Sequence, residues 1–191
     1  MSSKEILREE IKAQLKTVSA CEFSSQGGRA AAILKMSPIW ASYKTIFIFL
    51  SMNSEIETRA FLETALADGK KAFAPRIEKD DLVFYRILST SCPWQKGPFG
   101  TKEPPGERPA EHKDFPALIL APGLAFDRKG RRLGRGRGYY DRFFAELDRE
   151  GKQYYAIGLC MDFQLIDEVP AVEYDKKVTG ILTCKGLQTI T

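Results

Sequence analysis

Between Asp127 and Arg142 the chain concentrates seven positive side chains, Arg128, Lys129, Arg131, Arg132, Arg135, Arg137 and Arg142, against two negative ones, Asp127 and Asp141. The net charge of the whole protein is only +4. Gly130, Gly134, Gly136 and Gly138 alternate with the cations. Guanidinium groups are rigid forks of donors matched to phosphate oxygens. Glycine lets a backbone approach a ligand through dihedrals that other residues avoid. An apolar, aromatic segment starting at Tyr139 and Tyr140 follows at once and predicts a helix over 139–150. A basic, glycine-rich loop that opens a helix is suited to anions. The order of its residues matches neither the GxxxxGK[ST] loop nor the GxGxxG fingerprint. From composition alone three uses stay open. Backbone N–H groups with Arg132 and Arg135 could hold a triphosphate. The segment could be a charged surface hairpin. It could also be an arginine–glycine RNA binder, although such segments occur as repeats in disordered tails.

Other candidates stand elsewhere in the chain. Asp141 lies in the first turn of the predicted helix, where a carboxylate either holds Mg²⁺ beside phosphates or complements the helix dipole. Lys4 and Arg8 are one turn apart and share a helix face, so they repel mildly unless an anion lies between them. Glu55 follows an apolar strand and precedes a helix. Tyr139 and Tyr140 point about 100° apart on a helix, which sends one toward the core and one toward a cleft. The only histidine, His112, sits among prolines and charges and reads as a surface residue. Cys21, Cys92, Cys160 and Cys184 are scattered, which argues against a zinc site or a disulfide framework. A metal here should therefore be held by oxygen, which points to magnesium.

These residues need a scaffold. At 191 residues with 43% hydrophobic content, the chain is expected to form one domain over 1–191. Neither a membrane-spanning run nor a signal peptide is apparent, so a cytoplasmic location and no membrane partner are expected. Apolar runs predict strands at 45–50, 71–75, 81–88, 117–121, 154–159 and 178–183. Periodicity predicts helices at 4–18, 24–36, 57–67 and 139–150. Prolines and glycines between Ser89 and Phe115 predict a long loop, of a kind usually functional or mobile. The alternation of strands and helices predicts a three-layer α/β/α fold with a mostly parallel central sheet. In such sheets ligands sit beyond the carboxyl ends of the strands. The segments 50–55, 121–126 and 159–162 leave strand ends that could share one crevice.

The run from Ala121 to Asp141 resembles the signature of the 5-formyltetrahydrofolate cyclo-ligase family, also called 5,10-methenyltetrahydrofolate synthetases, which reads PGxxFDxxGxRLGxGxGYYD. Lys4 to Arg8 is similar to that family's Lys-x-x-Leu-Arg, Phe49 to Thr58 to its folate-pocket segment, and Val169 to Asp175 to its C-terminal block. The resemblance spans nearly the whole chain. It implies a fold like the sugar-phosphate isomerase and CoA-transferase group. It implies a monomeric enzyme acting on two small molecules, 5-formyltetrahydrofolate and ATP, with Mg²⁺ and no nucleic acid partner. ATP would phosphorylate the formyl oxygen, and N10 would close the ring. By motif position, Lys4, Glu5, Ile6, Leu7 and Arg8 would contact ATP together with Arg132, Leu133, Gly134, Arg135, Gly136, Arg137, Gly138, Tyr139 and Tyr140. Leu50, Glu55 and the stretch Arg135, Gly136, Arg137, Gly138 and Tyr139 would contact the folate. Arg135 and Tyr140 would be catalytic, and Asp141 and Asp175 would hold magnesium. Such chemistry needs positioning and charge neutralisation more than a general-base histidine.

Overall fold

Helix α1 (Ser3–Thr17) begins where Ser2 and Glu5 cap each other reciprocally, Ser2 Oγ accepting the Glu5 N–H at 3.3 Å and Glu5 Oε2 accepting the Ser2 N–H at 2.7 Å. Its buried stripe is Ile11 and Leu15. The computed structural model describes residues 2–106 and 108–190, and at Phe99 the backbone alone. Glu107, inside the predicted long loop, and the two terminal residues of the expected domain lie outside the described residues. Helices α2 (Ala20–Lys35) and α3 (Pro38–Ser42) precede strand β1 (Thr45–Ile48), and helix α4 (Arg59–Ala67) leads to β2 (Lys71–Glu78) and β3 (Asp81–Ile87). The short strands β4 (Gln95–Lys96) and β5 (Lys102–Glu103) form a hairpin. Strands β6 (Ala117–Ala121), β7 (Ala125–Asp127) and β8 (Arg132–Leu133) come next, followed by helix α5 (Tyr139–Arg149). Strands β9 (Tyr154–Leu159), β10 (Leu165–Ile166), β11 (Gly180–Thr183) and β12 (Gly186–Thr189) complete the order.

The main sheet has the order β12-β11-β9-β6-β1-β2-β3, parallel from β11 to β2 with one antiparallel strand at each edge. Its central strands, β1 and β6, are buried at every residue, as continuous apolar runs require in a sheet covered on both faces. From β1 the chain passes through α4 to β2 on one side. From β6 it passes through α5 to β9 on the other side. Right-handed crossovers running in opposite directions put α4 and α5 on opposite faces. The reversal falls between β1 and β6, so their carboxyl ends part there and leave a crevice.

Several boundaries differ from the sequence reading. Helix α2 starts at Ala20 rather than 24, because Ser19 Oγ accepts the Glu22 N–H at 3.1 Å. Pro38 begins helix α3, with Ser37 as its cap. Strand β2 runs through Pro75 to Glu78, because its partner β3 continues while β1 has already ended opposite Phe73. No β1 neighbour is there to need the missing proline N–H. The basic loop contains a ladder, β7 against β8, that sequence reading left irregular. The long loop is tied down too: its residues 108–110 return along the outer edge of β3 through Arg86 N–H to Arg108 O (2.9 Å) and Ala110 N–H to Phe84 O (2.8 Å). Edge strand β12 was not foreseen.

Candidate active site

A cleft of about 480 Å³ opens at the parting of β1 and β6. Phe49 and Leu50 continue β1 into its wall, and Pro122 and Gly123 do the same for β6. Pro75, Ile77 and Leu82, from the extended ends of β2 and β3, make an apolar side. Arg132, Arg135, Arg137 and Asp141 make the charged side.

The β1–α4 connection is braced by hydroxyls. Thr58, almost fully buried, donates from Oγ1 to Phe49 O at 2.7 Å. Ser51 Oγ donates to Ile56 O and accepts the Thr58 N–H, both at 2.8 Å. This closed loop holds Glu55, whose Oε2 accepts the Met52 N–H at 3.0 Å. Its Oε1 faces Arg135 Nε and Nη2 at 3.1 Å, and Arg135 Nη2 also donates to Ser54 Oγ at 3.1 Å. Burial pushes the Glu55 carboxyl above its ordinary range, against the pull of Arg135 and the Met52 N–H.

Asp127, fully buried, fixes the base of the basic loop. It accepts the backbone N–H groups of Lys129, Arg131 and Val169 and pairs with the Arg131 side chain at 2.5 Å. Burial raises its pKa, but these donors outweigh it and hold the carboxyl below its usual range. The loop then runs through Gly136 at φ +108 and Gly138 at φ +67, the latter opening α5. Both dihedrals lie where side-chain-bearing residues are strained, so glycine is a geometric necessity at these two positions. Arg142 holds the turn from the far side, donating to Arg137 O at 2.9 Å and to Asp80 O.

Arg132 is buried against Asp141, Nη2 to Oδ1 at 2.8 Å, with its guanidinium over the Tyr140 ring at 5.6 Å. Its Nε and the Tyr140 hydroxyl are both buried without a hydrogen-bond partner among the described residues. Burial, with a smaller push from the nearby Glu55 carboxylate, keeps the Tyr140 phenol protonated far above its ordinary range. Such orphaned donors in a cleft wall are costly unless a ligand supplies the acceptor.

The N-terminal helix closes the constellation. Arg8 Nε donates to Gly134 O at 3.0 Å, and Lys4 Nζ meets Asp175 Oδ2 at 2.5 Å. Asp175 Oδ2 also accepts the Val172 N–H at 2.8 Å. Burial pushes this carboxyl up, but Lys4 and the Val172 N–H outweigh it and hold it below the usual range. Asp141 uses Oδ1 for both Arg132 and the Lys176 N–H, leaving Oδ2 for another partner. Arg132, which pairs directly with Asp141, also helps to lower the Asp175 carboxyl, though less than Lys4 and the Val172 N–H do. Among the described residues there is no ready-made cluster of three metal-ligating side chains. Mg²⁺ usually takes only one or two protein carboxylates beside phosphate and water oxygens, and this donor set fits that habit.

The structure thus brings Leu50, Glu55, Arg132, Gly134, Arg135, Arg137, Gly138, Tyr139, Tyr140 and Asp141 to one cleft. Lys4, Arg8, Gly136 and Asp175 stand just behind it through the contacts above and the approach of Arg8 to Gly136. Glu5 is spent on the helix cap, Ile6 is half exposed, Leu7 packs on the core and Leu133 is buried in β8, so these four do not line the cleft. Both tyrosines line it, but Tyr140 is the one whose ring joins the core, against Phe84, Phe143 and Phe144. Sequence reading missed Lys12, one turn beyond Arg8 at the same spacing that marked Lys4 and Arg8. It also missed Ile77 and Leu82, for which periodicity gives no signal, while Met52 lies in the 50–55 segment expected at the crevice and residues 101–103 in the long loop expected to be functional or mobile. His112 is exposed and all four cysteines are free. No helix among the described residues is long and apolar enough to cross a membrane.

Residues 1–184 match the model of the 5-formyltetrahydrofolate cyclo-ligase family. The chain is 30% identical to the mouse (Mus musculus) 5-formyltetrahydrofolate cyclo-ligase, over 95% of this chain and 93% of that protein. It is 27% identical to the Saccharomyces cerevisiae 5-formyltetrahydrofolate cyclo-ligase, over 97% of each. In three dimensions it is similar to the 5,10-methenyltetrahydrofolate synthetase of Aquifex aeolicus, with a TM-score of 0.83 at 25% identity, covering 99% of this chain and 93% of that one.

Proposed function

From the premise that this chain belongs to the 5-formyltetrahydrofolate cyclo-ligase family, we propose that it closes 5-formyltetrahydrofolate to 5,10-methenyltetrahydrofolate with consumption of ATP in the presence of Mg²⁺. What supports this reading most is one contact. Arg135 of the basic loop and Glu55 of the β1 exit meet across the cleft, so a phosphate-binding cation and a carboxylate suited to a pterin lie within one ligand's reach.

The formyl oxygen attacks the γ-phosphorus, the bond to the β-phosphate oxygen breaks, and ADP leaves. The formyl carbon then carries phosphate as its leaving group. N10 attacks that carbon and loses its proton, phosphate departs, and the five-membered ring closes as the methenyl cation. The protein's work is to hold the partners in line and neutralise charge. Arg132 and Arg135, with Lys4 and Arg8 behind them, surround the phosphates. Glu55 accepts from the amino-pyrimidine donors and orients the ring. Tyr140, kept neutral by burial, donates its proton's hydrogen bond to the oxygen at the reacting carbon. Asp141 and Asp175 would hold magnesium, which when bound neutralises phosphate charge.

The test is direct. The protein, incubated with 5-formyltetrahydrofolate, ATP and Mg²⁺, should accumulate the methenyl product, seen by its near-ultraviolet absorbance. Omitting ATP or chelating the metal should abolish it. Equal rates without ATP would overturn the proposal.

A further inference from the structure

Arg135, assigned to the phosphates as well as to the border of the folate, and Glu55, assigned to the pterin, occupy each other in this structure. Both Arg135 Nε and Nη2 lie at 3.1 Å from Glu55 Oε1, and Nη2 is additionally held by Ser54. The Glu55 side chain is 11% exposed and that of Arg135 34%, so the carboxylate end of the pair is largely desolvated while the guanidinium still meets solvent. A guanidinium turned toward Glu55 and Ser54 cannot also take a phosphate with the same edge. A carboxylate capped by arginine cannot accept a pterin's donors on that oxygen. From this we propose that the Glu55–Arg135 pair is a latch that withholds the nucleotide-binding arginine until the reduced pterin takes Glu55.

The inference rests on the functional reading above and adds an order to it. A ligand that needs the open state binds more weakly by the fraction of molecules that are open. Pterin binding at Glu55 opens the pair, so nucleotide affinity rises, and by linkage nucleotide raises pterin affinity by the same factor. The surroundings let the side chain swing without moving the loop. Gly134 O, just before Arg135, is anchored by Arg8 Nε at 3.0 Å, and Gly136 just after it turns the backbone at φ +108. The consequence is protective: the γ-phosphoryl group is not fully engaged, and so not offered to water, before the formyl acceptor is seated.

The experiment is calorimetric titration of a non-hydrolysable ATP analogue with Mg²⁺ into the full chain, with and without saturating 5-formyltetrahydrofolate. The variants are Glu55→Gln, Arg135→Ala and the double variant. Glutamine keeps an acceptor for the Met52 N–H, so the loop is retained. A partly exposed charged pair of this kind should shift the wild-type nucleotide Kd about fivefold when the folate is added. Glu55→Gln should show that tightened affinity without folate, and adding folate should change it no further. In the Arg135→Ala background, Glu55→Gln should change the Kd less than about twofold. An unchanged or weaker Kd for Glu55→Gln alone overturns the latch. So does tightening that persists without Arg135, which would be a through-space charge effect. The arm without folate does not depend on cyclisation. A wild type that binds nucleotide but makes no methenyl product would sink the functional reading while the latch is still decided.

Discussion

Replacing Tyr140 by phenylalanine should make the protein more stable and less active. The Tyr140 ring is packed against Phe84, Phe143 and Phe144, all contacts that phenylalanine retains. Its hydroxyl is buried with no partner among the described residues. Holding an unpaired hydroxyl in such a place costs about 1–3 kcal/mol. Removing it should therefore recover about 1 kcal/mol, the lower end of that range. For a chain of this length that corresponds to a rise of roughly 2–4 °C in Tm. Loss of a donor aimed at the reacting oxygen should lower kcat about 100-fold. Thermal melting of the ligand-free protein and initial rates of methenyl formation test the two halves separately. A variant that melts several degrees lower and keeps its turnover would refute the reasoning, because the hydroxyl would then be a structural group with a hidden partner.

Arg135→Ala should cut turnover at least tenfold while Tm moves by less than about 2 °C, since the side chain is one-third exposed; a large loss of Tm with activity intact would contradict this. Asp141→Asn should move the Mg²⁺ titration of activity to higher concentration, and unchanged curves would remove Asp141 as a ligand. Asp127→Asn should lower stability by about 3 kcal/mol, because it strips a half-buried guanidinium and three N–H donors of their fully buried charge partner; denaturant unfolding would measure it. Asp175 has a depressed carboxyl pKa in the fold, so the stability that it contributes is present above the unfolded value near 3.8 and is lost as pH falls below that, through its folded pKa. Melting curves from pH 6 to pH 3 should fall less steeply for Lys4→Met than for the wild type, and parallel slopes would argue that the pair does not matter.

The central strands and the basic loop were legible because their signals are local: β1 and β6 are unbroken apolar runs, and the glycines at 136 and 138 advertise the dihedrals they adopt. The β7–β8 ladder was not, because two- and three-residue strands leave no periodicity, and what holds them is Asp127 reaching to Val169 across forty residues of sequence. Lys4 and Arg8 were legible as a pair by helical spacing, but which of them meets the loop and which meets Asp175 is a matter of tertiary placement. The apolar wall of Ile77 and Leu82 could not be read in advance, since those residues look like ordinary hairpin positions until β1 ends and exposes them to the cleft. Nor could the Arg135–Glu55 contact, which joins residues eighty apart.

The proposed reaction turns on phosphoryl transfer from the nucleotide to the formyl oxygen of the folate within this one cleft. A single turnover with 5-formyltetrahydrofolate carrying ¹⁸O in the formyl group should deliver that label into the released inorganic phosphate, one atom per methenyl product. Methenyl product formed with unlabelled phosphate would contradict it.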